Sequence, residues 1–380
     1  MPAYLSADQL AADLSIRDLT DPAAGPHAIQ LVLDRAVAAL ANRWGCEVRR
    51  QHGDRIVTIS DNYDDLGYRG DDITRESRHT RYVDDQQMLR SHSTALIPPA
   101  LRTLAADPAD DVLLVCPAMV YRRDSIDRLH TGTPHQVDLW RITRRSVPLT
   151  TADLDEMVTV LVDGLLPGAS HRLEDRHHPY TRSGGQVDVA YGQEWIEVAE
   201  CGLAHPQVLA GAGLDGGWSG LALGMGLDRM LMLLKGIPDI RILRSAEPSV
   251  AAQLTDLAPY RPVSAMPAIR RDLSVAVDQE DRPEDLGDRV RDALGQDADQ
   301  VEAVEILAQT PYAELPPRAR ERLGARPGQK NVLLKVVLRQ LDRTLTDEEA
   351  NLLRDRIYAA VHRGGAHQWA VTAPATRAGR

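Results

Sequence analysis

The sequence predicts an α+β fold, in which a mostly antiparallel sheet flanked by helices is followed by a smaller βαββαβ domain. Three observations lead there. Strand-like runs succeed one another between residues 55 and 226 without the regular strand–helix alternation of a parallel sheet. At 380 residues the chain exceeds what one core usually fills. Composition turns loop-like over 248–267, with prolines at 248, 259, 262 and 267, before a fresh series of strands and helices begins.

Taken in order, 27–44 (HAIQLVLDRAVAALANRW) places Ile29, Val32, Leu33, Val37 and Leu40 at helical spacing and stops before Gly45, which predicts one amphipathic helix. Strands are expected at 55–60, 110–122 and 136–142, then a helix over 154–168 closed by its glycine. QVDVAY (186–191), EWIEVAECG (194–202) and WSGLALGMG (218–226) read as strands, and LDRMLMLLKG (227–236) as a helix leaving a glycine-rich turn. Beyond the proline-rich stretch come strand 271–277, helix 283–294, strands 301–309 and 331–340, helix 347–363 and a short tail strand, a ferredoxin-like split unit. The expected division is an N-terminal extension (1–26), a first domain (27–247), a linker (248–266), a second domain (267–371) and a tail (372–380).

No apolar run approaches the roughly 20 residues that cross a bilayer, and the N-terminus has neither a basic stretch with an apolar core nor an Arg-rich transit pattern. A cytoplasmic protein is expected. Cys46, Cys116 and Cys201 are odd in number and widely spaced, so reduced, mostly buried thiols are expected rather than disulfides or a zinc site. The net charge of −11 disfavours indiscriminate nucleic-acid binding, yet eight Lys or Arg fall between Arg318 and Arg343 against two acids, a candidate phosphate-contacting face. There is no Phe at all, where average usage would give on the order of ten.

The chemistry concentrates in YRRDSIDRLHTGTPHQVDLW (121–140). Arg122 and Asp124, on a strand before a polar loop, supply a guanidinium fork suited to a phosphate or carboxylate. Gln136 and Asp138 share one strand face. His135 points to the other face and reads as a satisfied structural imidazole. In GLALGMG (220–226) the small residues would let backbone approach a flat ligand, with Arg229 in the following helical turn; ordinary strand-to-helix packing with a solvated Arg229 explains the same pattern.

These segments resemble the phenylalanyl type of class II aminoacyl-tRNA synthetase. VYRRDSID with PHQVD, and GLALGMGLDRMLML with GIPDIRIL, look like that class's motifs 2 and 3. MLRSHST (88–94) resembles its Leu-Arg-x-His-Thr-Ser element, NYDDL (62–66) its Asn-Phe-Asp-x-Leu, and EWIEVAECGL (194–203) lies in a stretch similar to its Trp-Leu-Glu-Val-x-Gly-Cys-Gly-Met strand. The tail from Arg261 to Trp369 looks like the ferredoxin-fold anticodon-binding domain, in the order found in the single-chain organellar form. The resemblance implies ATP, Mg²⁺, an amino acid and tRNA, most simply tRNA-Phe, as substrates, cofactor and partner, and a monomer, with a homodimer as the other possibility. It implies that Arg122 holds the α-phosphate and substrate carboxylate, that Arg229 stacks on adenine, and that His130 reaches the ATP phosphates. Asp124, Gly224 and Gly226 would line the nucleotide site. His92, Thr94, Gln136 and Asp138 would bind the α-ammonium, and His178, Tyr180 and Ala222 the side chain. Glu197 would contact Mg²⁺ or ribose, a solvated strand-edge acid being the plain alternative. Arg271, Lys330, Lys335, Arg339 and Arg343 would touch tRNA.

The sequence also departs from the family. Phe-Pro-Phe becomes His178-Pro179-Tyr180, the Phe before His-Gln becomes Pro134, the residues around Ala222 become Leu221 and Leu223, and two motif glutamates shorten to Asp138 and Asp228. An imidazole and a phenol add hydrogen-bonding capacity to an apolar slot, where an unpaired polar group costs about 1–3 kcal/mol. A polar phenylalanine analogue is therefore expected to fit, with the retained Ala222 leaving the far end of the slot unfilled. A protein without Phe needs no phenylalanyl-tRNA for its own synthesis, which suits a specialised paralogue serving resistance or biosynthesis, drift in a lineage that avoids the codon being the plain alternative. The competing readings are a catalytically silent paralogue that binds tRNA or amino acid as a regulator, and an adenylating enzyme that loads a carrier protein.

Overall fold

The computed structural model describes residues 4–77, 79–123, 125–262, 267–340 and 343–366. The chain forms two compact units, Met1–Arg122 with Gly132–Arg261, and Arg123–Thr131 with Pro262–Arg380.

Helices of the first unit are α1 (Ala7–Ser15), α2 (Ala28–Trp44), α3 (Ile59–Asn62), α4 (Ile97–Ala106), α5 (Thr151–Leu165), α6 (Pro206–Gly211), α7 (Leu227–Lys235) and α8 (Pro248–Ala251). Its strands are β1 (Glu47–Arg50), β2 (Ile56–Thr58), β3 (Gln87–Leu89), β4 (Asp111–Met119), β5 (His135–Arg144), β6 (His171–Asp175), β7 (Thr181–Tyr191), β8 (Glu194–Ala204) and β9 (Trp218–Gly226). Seven of them build one sheet in the order β1-β4-β5-β9-β8-β7-β6, antiparallel throughout except where β1 runs parallel to β4. The expected antiparallel α+β core is therefore present.

On one sheet face Leu114, Cys116, Ala118, Trp140 and Ala222 join Ile97, Leu101 and Leu104 of α4 in a single core. The other face carries Leu113, Val115, Val137, Leu139, Leu223 and Met225, all buried, so the central strands read as nearly continuous apolar runs. Helix α2 buries the five apolar residues that its periodicity singles out and packs along α5. Cys116 and Cys201 are buried thiols and Cys46 is half-buried.

With no Phe, the large core rings all carry a polar handle. Tyr63 donates to Thr74 O at 2.9 Å, Tyr82 to Arg75 O at 2.6 Å, Tyr121 to Asp13 O at 3.1 Å, and Trp140 Nε1 to Asp138 Oδ1 at 2.9 Å.

Several boundaries move for identifiable reasons. In RIVTIS only 56–58 is strand, because Thr58 caps α3 by accepting from Asp61 N–H. Helix α5 starts at Thr151 under a Thr150–Asp153 capping box and ends before Gly168, whose φ is +80°. Residues 248–255, expected as linker, are helical, bury Val250 and Leu254, and are held by Lys235 Nζ, which donates to Asp256 O and Ala258 O. The N-terminal residues are likewise built into the first unit: Arg81 donates to both oxygens of Asp13 at 2.8 Å, and Asp18 accepts from Met119 N–H at 3.2 Å.

The second unit contains β10 (Ile269–Asp278), α9 (Pro283–Leu294), β11 (Val301–Pro311), α10 (Pro317–Leu323), β12 (Gln329–Leu338) and α11 (Asp347–Val361). Its sheet order is β10-β12-β11, all antiparallel, and α9 and α11 supply Leu286, Val290, Leu353 and Ile357 to a core with Leu273, Val275, Val332 and Leu334. This is the expected split unit through α11, with α10 inserted between the second and third strands; the tail strand lies outside the described residues.

Candidate active site

The register of the large sheet sets out the site. Asp138 pairs with Gly224, Gly224 with Glu200, and Glu200 with Gln186. Directly opposed residues share a face, so two carboxylates stand on either side of a residue without a side chain. One repeat away, Gln136 pairs with Gly226; one repeat the other way, Trp140 pairs with Ala222 and Ala222 with Gly202. A Cβ built on Gly224 would meet only Asp138 Oδ2, at 3.7 Å, so the floor is open there. A bulge in β8 shifts the pairing from Val187–Ala199 to Asp188–Glu197. The extra residue turns Glu197 to the same face as Glu200, where plain alternation would oppose them.

The His92–Thr94 loop lies against the β5 side of this floor. Asp138 is 3% exposed; its Oδ2 accepts from Ser93 Oγ at 2.5 Å and Thr94 Oγ1 at 3.1 Å, its Oδ1 from Trp140. Burial lifts its pKa to about 6 against the opposing pull of these donors. Gln136 Oε1 accepts from Ser93 N–H at 3.3 Å. The His92 ring is pushed down to about 3 by burial and then by the charges of Arg122 and His178, so it is a neutral imidazole, and its buried Nδ1 has no partner among the described residues. A buried nitrogen without a partner beside an open floor is a group suited to a ligand. His92, Thr94, Gln136 and Asp138 thus come together, as the ammonium role requires.

Arg122 Nε donates to Ser91 O at 3.2 Å, next to His92. Arg229, in the first turn of α7, donates from Nη1 to Glu197 O at 2.8 Å and stands 3.7 Å from the Glu197 carboxylate. Glu197, expected to meet Mg²⁺ or ribose, is therefore also an arginine partner. Asp124 lies outside the described residues. His130 belongs to the second unit, where its Nδ1 is 2.9 and 2.8 Å from the two Asp127 oxygens. His135 is fully buried: Asp228 accepts from its Nδ1 at 2.9 Å and from its backbone N–H, and its Nε2 accepts from Leu19 N–H at 3.1 Å. This is the structural imidazole that its position beside Gln136 suggests.

The side-chain end is lined by rings. His178 stacks on Tyr180 (centroids 5.1 Å, 17°), Tyr180 stacks on Trp140 (6.1 Å, 27°), and Tyr68 lies 6.2 Å from Tyr180 and 6.0 Å from His92. Ala222 is the residue expected to leave the far end of the slot unfilled. Ala222 is 1% exposed, opposite Trp140, in the core against which Tyr180 packs.

Glu200 was not among the residues singled out in the sequence. Its Oε1 accepts from Arg176 Nε at 3.0 Å, and its Oε2 lies 2.8 Å from His178 Nε2, an ion-pair distance with an angle outside hydrogen-bond geometry. Burial would raise its pKa, but His178, Arg176 and Arg122 together hold it below the usual value. The signal was in AECG, where the strand it resembles has Gly-Cys-Gly.

In the second unit each candidate RNA-contacting residue has a partner. Arg271 pairs with Asp347 (2.8 Å), Lys335 with Glu305, Arg339 with Glu302 and Arg343 with Glu349 (2.7 Å), while Lys330 donates to Asp281 O at 2.7 Å.

Comparison with known proteins matches residues 12–254 to the tRNA synthetases class II core domain (F). The chain belongs to the phenylalanyl-type class II tRNA synthetases. This synthetase is 26% identical over 362 residues to a protein of Drosophila melanogaster described as a probable mitochondrial phenylalanine–tRNA ligase, covering 80% of this chain and 75% of the relative. It is 29% identical over 316 residues to the chloroplastic/mitochondrial phenylalanine–tRNA ligase of Arabidopsis thaliana (80% and 68% covered). It is 33% identical over 249 residues to the phenylalanine–tRNA ligase alpha subunit of Roseobacter denitrificans (59% and 67% covered). Like its family it is a ligase. Among its described residues no helix is long and apolar enough to cross a membrane.

Proposed function

We propose that this synthetase activates phenylalanine or a polar phenylalanine analogue with ATP and transfers it to tRNA, with tRNA-Phe the expected acceptor, as a specialised paralogue acting as a monomer in the cytoplasm. The observation that carries the reading is the convergence of Gln136, Asp138 and His92, with its unpartnered Nδ1, over the Gly224–Gly226 floor.

Activation joins a carboxylate oxygen of the amino acid to the α-phosphorus of ATP and breaks the bond to the leaving pyrophosphate, so the protein's work is positioning and charge neutralisation. Ionised Asp138 and the Gln136 amide oxygen accept from the α-ammonium, which has three donors to satisfy. Arg122, beside the ammonium group's loop, neutralises the carboxylate and α-phosphate; Arg229 serves the nucleotide. Among the described residues no group of three or more His, Cys, Asp or Glu could hold a metal ion, but Mg²⁺ in phosphate chemistry needs only one or two carboxylates besides the phosphates. Glu197, whose side chain is 44% exposed beside Arg229, fits that requirement. The ion would draw charge from the departing pyrophosphate. Arg271, Lys330, Lys335, Arg339 and Arg343 of the second unit would exchange their carboxylate and carbonyl partners for RNA phosphates.

ATP–pyrophosphate exchange with a panel of aromatic amino acids, followed by charging of tRNA-Phe, tests the reading. Exchange with none of them in a folded protein would favour the silent regulator. Exchange without charging would favour a carrier-loading enzyme.

A further inference from the structure

Glu200 is placed to choose the substrate's side chain. It stands across the empty position of Gly224 from Asp138, on the same sheet face. The two acids differ in availability. Asp138 accepts from Ser93, Thr94 and Trp140 and is assigned to the ammonium, whereas Glu200, a quarter of whose side chain is exposed, has no such assignment. Glu200 also sits at the ring-lined end, because the His178 it approaches at 2.8 Å is the ring stacked on Tyr180.

The chemistry of that carboxylate is one-sided. Arg176, His178 and Arg122 keep it ionised, and an ionised carboxylate only accepts. A side chain that brings a donor gains a charge-assisted hydrogen bond, while an unsubstituted ring strips water from the carboxylate and returns nothing. Sites built to pair a substrate's polar group reject the analogue that lacks it more strongly than apolar slots reject an added hydroxyl.

We propose that Glu200, oriented by His178 and Arg176, is a specificity-determining residue that selects an aromatic amino acid carrying a hydrogen-bond donor on its ring, a hydroxyl or an amino group, over phenylalanine. This rests on the reading that the same face binds an amino acid for activation.

The test is pyrophosphate exchange by the full chain with phenylalanine, the three ring-hydroxylated isomers, 3- and 4-aminophenylalanine, and 4-methoxyphenylalanine as an acceptor-only ring. At least one donor-bearing substrate should exceed both phenylalanine and the methoxy compound tenfold or more in kcat/KM; the hydroxyl and amino arms identify the donor. Glu200→Gly should narrow that ratio at least tenfold, and the isosteric Glu200→Gln, chosen in case the glycine variant folds poorly, should relax it toward the methoxy compound. Phenylalanine used as well as every donor-bearing ring, or a ratio unmoved in both variants, overturns the proposal while leaving activation intact. Exchange with no amino acid at all overturns the activation reading and takes this one with it.

Discussion

Asp228 accepts from both the backbone N–H and the ring Nδ1 of His135, so the first turn of α7 and the first residue of β5 are tied by one carboxylate. Burial raises the Asp228 pKa, but the adjacent imidazole and these hydrogen bonds outweigh it, and the net shift is downward. Truncating one partner of a buried pair strands the other. Asp228→Ala should therefore cost about 3–5 kcal/mol in urea unfolding, and a loss below 1 kcal/mol would show that the tie is idle. Because the folded-state pKa is depressed, this stabilisation is complete above the ordinary Asp range and is lost as pH falls through the folded value. The gap between wild type and Asp228→Ala should close on acidification.

Asp138 behaves oppositely, with its pKa raised to about 6. If its ionised form holds the substrate ammonium, as proposed, amino-acid KM should be flat above pH 6 and climb as pH drops below it. Asp138→Asn should raise KM at pH 7.5 by ~10–100-fold, the worth of a hydrogen bond to a charged group, and abolish the step. For stability the sign reverses. An acid whose pKa rises on folding destabilises at high pH and not below its unfolded value, so Asp138→Asn should fare better relative to wild type at pH 8 than at pH 4.

Arg229 donates to the main chain of β8 with one nitrogen and stands 3.7 Å from the Glu197 carboxylate; on the proposed reading its charge serves the nucleotide. Loss of a preorganised cation should lower exchange kcat by about 10²–10³-fold. Arg229→Ala measured beside its melting curve separates that from unfolding: an unchanged rate in a folded variant would exclude the nucleotide role.

Lys335 stands on β12, on the face away from the Val332, Leu334 and Val336 core, and Arg339 directly follows the strand's last residue, Leu338. Alanine at either should weaken tRNA binding and reduce the salt slope by roughly one unit, with exchange unaffected. A slope that does not move would mark both as surface ion pairs only.

Tyr121→Phe keeps the ring and removes the hydroxyl that reaches Asp13 O. Stripping that donor should cost about 1 kcal/mol, read as a lower urea midpoint at constant slope.

The central strands were legible because β4, β5 and β9 are apolar runs bounded by charge and glycine, and α7 and α9 because their periodicity is strong. Helix α4 escaped notice since Pro98 and Pro99 look like breakers, although both sit in its first turn, where a missing N–H costs little. Strand β1, EVRR, has no buried residue and is held by pairing with β4. Within the site, the Gln136–Asp138 face followed from alternation alone. The places of Glu197 and Glu200 did not, since spacing three puts residues on opposite faces and only the partner strand reveals the inserted position.

That inserted position at β8 has an evolutionary implication. It lets neighbouring stretches of one strand keep separate registers, so a mutation at 200 can retune which amino acid is admitted while 197 stays with Arg229. On the proposed assignments, substrate choice could then drift in this lineage while the Glu197–Arg229 pair stays as it is.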